Sequence, residues 1–490
     1  MPAKITVMKF GGTSLEDRLA FERVARIVSS HKRESLVIVV SAMSLVTEAL
    51  LLSLRAAAKG KISVALRSID EHLERHLQVT HALRATSRAG ITRLIESFRQ
   101  EIAELLGAVA LSGKTSASLE DGIASYGERL SAHLLTVVLE EHGVPASYVD
   151  ARRCILTDEE HGKAKPLLKE TWQRTRAELE PLLKTKRVPV LGGFIAATQK
   201  GVTTTMGRGS SDYTATLVSA ALGARETQIW TDVNGVLTAD PRLIKTARTV
   251  PQLSYGEAEE LARFGVKVLH SKTIQPAAEH EIPVRICNSR APEEIGTLIC
   301  ARTEAVTSTV KAISHKSGVT MVEVTSTPAL VANGFLPAIR KIFDRHQTAL
   351  DIIATSDVGV SLMCEETNAL PLIIQDLQHV GFTELKRDRA IICCVGEGLQ
   401  SAPSYVMKLF DTLTNIDFTW RSASGSNFLL VVDEEHAATV IRRLHHAIFE
   451  QNQDGREQAS GNGKKLQLKD WRDCSFMIRG LGNDFDKYGG

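Results

Sequence analysis

The sequence predicts an α/β protein, an αβα sandwich on a mostly parallel sheet, followed by two small α+β sandwiches. Three observations carry that expectation. In the first 300 residues, short β-rich runs ending in small residues alternate with helical segments, as parallel βαβ units do. Beyond Thr297 the strands become short and alternating, and the helices shrink to about a dozen residues. There the order β-α-β-β-α occurs twice in succession.

Ile5 to Met8 and Leu36 to Val40 open the sheet; Val188 to Leu191, Gln228 to Trp230 and Val284 to Ile286 extend it, giving a first unit over residues 1–300. Between residues 64 and 106 the apolar positions Leu66, Ile69, Leu73 and Leu77, then Ile91, Leu94, Phe98, Ile102 and Leu105, recur at three- and four-residue steps, the spacing of long amphipathic helices. Thr320 to Val324, a helix through Leu336 and Phe343, strands at Leu350 to Ala354 and Val358 to Met363, and a helix at Leu370 to Gln378 form the first small unit, residues 301–388. Ala390 to Val395, a helix through Val406 and Leu413, strands near Ile416 to Trp420 and Phe428 to Val432, and a helix at Ala437 to Phe449 form the second, residues 389–450. Residues 451–490 hold seven of the 34 glycines and read as a mostly disordered tail with an apolar island at Trp471.

Composition narrows the function classes. Of 490 residues 43% are hydrophobic and 24% charged, a globular balance. Lys and Arg number 59 against 57 Asp and Glu, so no global field draws in nucleic acid or an anionic membrane, and any anion site is local. No apolar run reaches the roughly 18–20 residues of a spanning helix, and no signal-peptide core follows the N-terminus, which points to the cytoplasm. The seven cysteines are scattered without a C-x-x-C pair, and no H-E-x-x-H is present, so reduced structural cysteines and no protein metal cage are expected.

Anion-binding signals lie at strand ends. Lys9-Phe10-Gly11-Gly12-Thr13-Ser14 closes the first strand, where paired glycines let backbone N–H groups approach a phosphate. Ser41 and Thr47 flank the junction after the second strand, as N-caps or as ligand contacts. Glu128 and Arg129 stand in SYGERL, read as a helix start, either as a surface pair or as part of a site. Gly201 to Ala215 (GVTTTMGRGSSDYTA) sets hydroxyls around Gly207-Arg208-Gly209, with Asp212 ahead of a helix over residues 214–222. Thr231-Asp232-Val233-Asn234-Gly235 and Asp240-Pro241-Arg242 are turns, and Lys267 with Val268 follows Gly265 as a second phosphate lysine. Gly107 to Thr115 imitates a phosphate loop, but it has five residues between its glycines and follows a helical pattern, so it is set aside. No G-x-G-x-x-G fingerprint opens the first unit, against a dehydrogenase.

Taken in order, KFGGTS, SAxSxxT, YGERLSA, GGFIAATxxGxTTTxGRGSSDYTA, TDVNGVLTADPR and FGVKVLH resemble the aspartate kinases of the amino-acid kinase fold, and the lysine-sensitive monofunctional type in particular. The two small units look like the paired ACT domains of those enzymes. The resemblance implies transfer of phosphate from ATP, with Mg2+, to the side-chain carboxylate of L-aspartate, giving 4-phospho-L-aspartate, the first step toward lysine, threonine and methionine. It implies Lys9 and Asp212 as catalytic, and Ser41, Thr47, Glu128 and Arg208 as aspartate-binding. Lys9, Phe10, Gly11, Gly12, Gly209, Ser210, Ser211, Thr231, Asp232, Arg242, Lys267 and Val268 would serve the nucleotide. Glu48, Ser210, Leu237 and Ser271 depart from the family pattern, where Asn, Gly, Tyr and Pro are usual. Another amino-acid kinase, or a catalytically inactive amino-acid sensor of this fold, are the alternatives.

In the first small unit, Gly334, Phe335 and Leu336 at a helix start and Ala349, Leu350, Asp351, Ser356 and Asp357 around a strand resemble effector-binding segments, with lysine expected over threonine. Association through the ACT units into a homodimer or homotetramer is implied too. The roughly 40 residues after 450 are too few for an appended dinucleotide domain.

Overall fold

The computed structural model describes residues 5–31, 34–207, 209–266, 271–301, 310–326, 334–348, 350–356, 359–365, 368–399, 402–424 and 426–450. The tail over 451–490, and Arg208, Lys267, Val268, Ala349 and Asp357, lie outside the described residues.

The chain opens with β1 (Ile5–Phe10), α1 (Arg18–Ser30), β2 (Ser35–Val40), α2 (Val46–Ala58), α3 (Ile62–Thr80), α4 (Ala85–Ser112), α5 (Ala117–Glu141), β3 (Ala146–Val149), α6 (Ala151–Cys154) and β4 (Leu156–Thr157). It continues through α7 (Leu168–Lys184), β5 (Val188–Gly192), β6 (Ile195–Thr198), β7 (Thr203–Thr205), α8 (Ser210–Leu222), β8 (Glu226–Thr231), β9 (Gln252–Ser254), α9 (Tyr255–Arg263), α10 (Ser271–Glu279), β10 (Val284–Asn288) and β11 (Thr297–Cys300).

Eight strands lie in the order β3-β5-β2-β1-β8-β10-β11-β9. Every neighbouring pair is parallel except β10 with β11. β1 and β2 are buried along nearly their whole length, as strands covered by helices on both faces must be. Alternate residues serve the two faces. Met8, Phe10, Ile38 and Val40 join the apolar face of α2 to α5 in one core, and Val7, Val37 and Val39 join Leu217, Val218 and Leu261 in the other. Each such side chain taken from water contributes about 1.5–3 kcal/mol. Helix starts follow from short polar side chains: Asp17 accepts from Ala20 N and Ser116 from Leu119 N. A small sheet, β4-β6-β7, lies beside the large one.

β1 sits between β2, which follows it in the chain, and β8, reached only after β5. The connections therefore diverge at β1, and a crevice opens beyond its carboxyl end, where open α/β sheets bind ligands. The loop-like segment set aside above is the last turn of α4 and its C-cap Gly113, with φ of 65°, not a strand-to-helix loop.

The remaining elements are β12 (Ala312–Thr325), α11 (Phe335–Arg345), β13 (Asp351–Ser356), β14 (Gly359–Glu365), α12 (Leu370–Gln378), β15 (Phe382–Val395), α13 (Pro403–Asp411), β16 (Phe418–Ser424), β17 (Asn427–Asp433) and α14 (Glu434–His445). Their strands form one antiparallel sheet, β13-β14-β12-β15-β17-β16. β12 and β15 are each 14 residues long, more than double the strands expected at Thr320 to Val324 and Ala390 to Val395. Ala312 to Lys316 pairs with Ile391 to Val395, and after a shift in register Val319 to Thr325 pairs with Phe382 to Arg389. The second β-α-β-β-α set thus borrows a strand from upstream of the first.

Among the described residues no cysteine forms a disulfide, and no helix is long and apolar enough to cross a membrane.

Candidate active site

Lys9 is the penultimate residue of β1, in register with Val39 of β2 and Ile229 of β8. Its Nζ lies 2.6 Å from Asp212 Oδ1. Helix α8 begins at Ser210, four residues earlier than expected, because Gly209 takes a left-handed φ of 78° that turns the chain sharply into the helix. Asp212 consequently stands in the first turn, where the helix dipole favours an anion, not ahead of the helix. The Lys9 side chain is 11% exposed, so its charge is held largely out of water with one carboxylate partner.

Backbone hydrogen bonds bind the four strand ends together at this rim. Gly11 N donates to Trp230 O, Ser41 N to Phe10 O, and Gly193 N to Val40 O. The buried Phe10 ring stacks on Trp230 with centroids 5.9 Å apart. Close approach explains two glycines. A Cβ on Gly12 would lie 2.9 Å from Ala42 O, and one on Gly193 would lie 2.7 Å from Ser211 Cα.

Glu128 lies in the middle of α5, not at a helix start, and is buried. Its Oε1 accepts from Ala42 N at 3.3 Å, whereas Oε2 has no hydrogen-bond partner among the described residues. Burial pushes the carboxyl up to about 8, only partly offset by the Ala42 N–H. Thr47 stands in the first turn of α2, its hydroxyl close to Gly127, while Gly127 itself packs on Ala42. Gly127 and Glu128 of α5 therefore lie against Ala42, the residue after Ser41, with Thr47 alongside Gly127. Neither hydroxyl is an N-cap, because the N-cap position of α2 is Leu45 and no side chain caps the helix. Arg129, about 100° further round the helix, leaves Glu128 and lies over the rings of Phe98 and Tyr126, at 4.4 and 4.8 Å.

The other expected residues divide. Ser211 faces Gly193 at the rim, but Ser210 spends both donors inward: its hydroxyl and its N–H reach Gly207 O at 2.6 and 3.3 Å. Its hydroxyl thereby closes the turn that leads into α8. Thr231 ends β8 and donates to Asp232 Oδ1. Arg242 forks onto Asp240 in an exposed turn, at 2.6 Å. In the antiparallel half, Gly334 takes a φ of 112° ahead of α11, Phe335 is buried, Leu336 is exposed and Leu350 packs on the same apolar cluster as Phe335. Asp351 and Ser356 bound β13, pairing with Met363 and Gly359. Gly192, Gly193, Ala42 and Asp121 were not singled out as site residues. A second strand ending in Gly-Gly, at 192–193, was the available signal for the first two. Among the described residues no group of three or more His, Cys, Asp or Glu could hold a metal ion.

A parallel sheet with its cationic and glycine-rich rim at the switch point defines a small-molecule kinase, and the chain belongs to the amino acid kinase family, whose sequence pattern matches residues 4–288. Over most of its length it is similar to aspartokinases. Lysine-sensitive aspartokinase 3 of Escherichia coli K12 is 34% identical over 91% of this chain and 100% of that one. Chloroplastic aspartokinase 1 of Arabidopsis thaliana is 32% identical over 91% and 80%. The crystal structure of E. coli aspartokinase III with aspartate and ADP (R-state) superposes with a TM-score of 0.79 at 32% identity, covering 91% of this chain and all of that one. The lysine and aspartate complex (T-state) of the same enzyme gives 0.75 at 33% identity over the same shares.

Proposed function

We propose that the protein is an aspartate kinase that transfers the γ-phosphoryl group of ATP to the side-chain carboxylate of L-aspartate and is inhibited by lysine. The Lys9–Asp212 pair at the rim carries this reading. A carboxylate oxygen attacks phosphorus, the bond from phosphorus to the β-phosphate oxygen breaks, and ADP leaves with that electron pair. The nucleophile is already ionised, so no general base is needed. Two anions must instead be held in line, and positive charge must lie where charge builds up. Lys9 supplies that charge and Asp212 fixes the direction of its ammonium. Gly11, Gly12, Gly209, Ser210 and Ser211 meet the phosphates, the helix α8 N-terminus adds its dipole, and Thr231, Asp232, Arg242, Lys267 and Val268 hold the rest of the nucleotide.

Glu128 takes the amino group of aspartate, Arg208 its α-carboxylate, and Ser41 and Thr47 the backbone end. Magnesium fits as an ion brought in by the nucleotide: it is commonly bound by one or two carboxylates plus phosphates, and the described residues offer no dedicated cage. Asp212, the carboxylate at the rim, would be the side chain to share the ion, which would supply positive charge against the phosphates. The small antiparallel sheet carries the effector site over residues 334–336 and 349–357, and association occurs through this half.

Coupled ADP release with and without L-aspartate, with acyl phosphate trapped by hydroxylamine, tests the reading. Aspartate-dependent release with hydroxamate formation is expected, and aspartate-independent ADP release or none would remove it.

A further inference from the structure

Helix α5 carries a second buried carboxylate seven residues before Glu128, hence nearly two turns away on the same face, about 10 Å along the axis. Asp121 is 2% exposed and collects four donations from two segments. Gly162 N donates to both oxygens, at 3.1 and 3.0 Å; His161 Nδ1 lies 2.8 Å from Oδ2; and the Thr205 hydroxyl donates to Oδ1. Thr205 is the last residue of β7, immediately before Met206-Gly207, the turn that leads into α8. The loop is tied to the same place a second time, because Ala164 N donates to Thr205 O. A Cβ on Gly207 would lie 3.5 Å from Gly162 O, so the turn rests on the loop that Asp121 holds.

We propose that Asp121 is a positioning residue for the aspartate end of the site: its carboxylate bolts the 158–165 loop and the end of β7 to helix α5, setting the turn before α8 in register with Glu128. This rests on the aspartate-kinase reading, in which the turn and Glu128 serve the same substrate. Asp121 reaches the site only through those segments. The phosphate side has separate anchors, since α8 is held by Lys9 on Asp212, by Phe194 N on Thr214 Oγ1 and by Gly193 against Ser211. Loss of Asp121 therefore moves one substrate and not the other.

The test uses the full chain with Asp121→Ala, Asp121→Asn and Thr205→Val, steady-state kinetics for both substrates, and amide hydrogen exchange without substrate. In Asp121→Ala, KM for aspartate is expected to rise tenfold or more with KM for ATP within twofold, and the Gly162 and Ala164 amides to exchange faster while those of α5 do not. Asp121→Asn keeps an acceptor oxygen and is expected to recover most of the KM change. A folded Asp121→Ala whose KM for aspartate stays within twofold, or whose two KM values rise together, overturns the proposal. If that variant does not fold, the isosteric Thr205→Val decides: a threefold or larger rise in KM for aspartate alone supports it, and no change overturns it. Absence of aspartate turnover in the unsubstituted protein would defeat the functional reading and the substrate clause with it. Unchanged exchange at Gly162 in Asp121→Ala would defeat the clamp alone.

Discussion

In the proposed reading, Glu128 carries a protonation state that aspartate must change. Burial holds the carboxyl up to about 8, so the group is mostly neutral at pH 7. A cationic amino group beside Oε2 favours the charged form, and binding of aspartate at pH 7 should therefore release close to one proton. Calorimetric titration in two buffers of different ionisation heat reads that number directly; Glu128→Gln should release none, and wild-type binding without release would contradict the placement. The sign for stability follows from the same raised value. The stability given by the neutral carboxyl is full below the ordinary carboxyl range and is lost as pH rises toward 8, so substrate-free Glu128→Gln should gain on wild type across that window. Lys9, in the proposed mechanism, acts on the transition state instead. Removing one preorganised stabiliser costs about 10²–10³ in turnover, so Lys9→Ala should lose that much kcat while keeping its fold by circular dichroism.

Among the elements, legibility followed how much of the physics was local. The strands of the large sheet announce themselves because burial on both faces demands continuous apolar runs, as in Leu36 to Val40, and α12 was bounded from its pattern at Leu370 and Gln378. The first half of β15, Phe382 to Arg389, was hidden: its ELKRDR run is largely solvent-facing, and only pairing with β12 makes it a strand. The start of α8 was misplaced for a similar reason, since a left-handed glycine and two serines carry no apolar period. Lys9 and Asp212 are legible as chemistry-bearing residues, but their meeting comes from the packing of α8 on β1, which no local pattern shows. Gly193 shows the dependence of one element on another. Its backbone passes so near the N-terminus of α8 that Gly193→Ala must push β5 and α8 apart, at about 1–3 kcal/mol for overpacking. A lowered urea midpoint together with reduced kcat is expected, because α8 carries Asp212; unchanged kcat would show that the Lys9–Asp212 contact tolerates the shift.

For the whole molecule, helix α9 is one of the places where the two halves meet, beside the 238–248 segment, whose Thr238 O accepts from Ile313 N and whose Arg248 donates to Phe449 O. Its N-terminus is closed by a capping box in which Glu257 Oε2 accepts from Ser254 N at 2.8 Å. The same oxygen accepts from Lys311 Nζ at 2.8 Å, just before β12, and Oε1 accepts from Glu397 N, just after β15. Beyond its C-terminus, a Cβ on Gly265 would lie 2.2 Å from His315 O, so the segment running into Lys267 presses on β12 as well. The antiparallel sheet thus touches both ends of one helix, a geometry able to pass an effector's preference to the nucleotide side with a coupling of about 1–3 kcal/mol. Lys311 and Glu257 are both buried, and breaking such a pair by removing one partner costs about 3–5 kcal/mol, because the other charge is left without compensation. Lys311→Met should lower the thermal midpoint and blunt inhibition by lysine, whereas Lys311→Met with Glu257→Gln should recover part of the midpoint by removing the stranded charge, but not the inhibition, since the link itself is gone. Thermal scans and rate measurements against lysine separate the two effects, and a double variant with full lysine sensitivity would show that the signal passes elsewhere than through this pair.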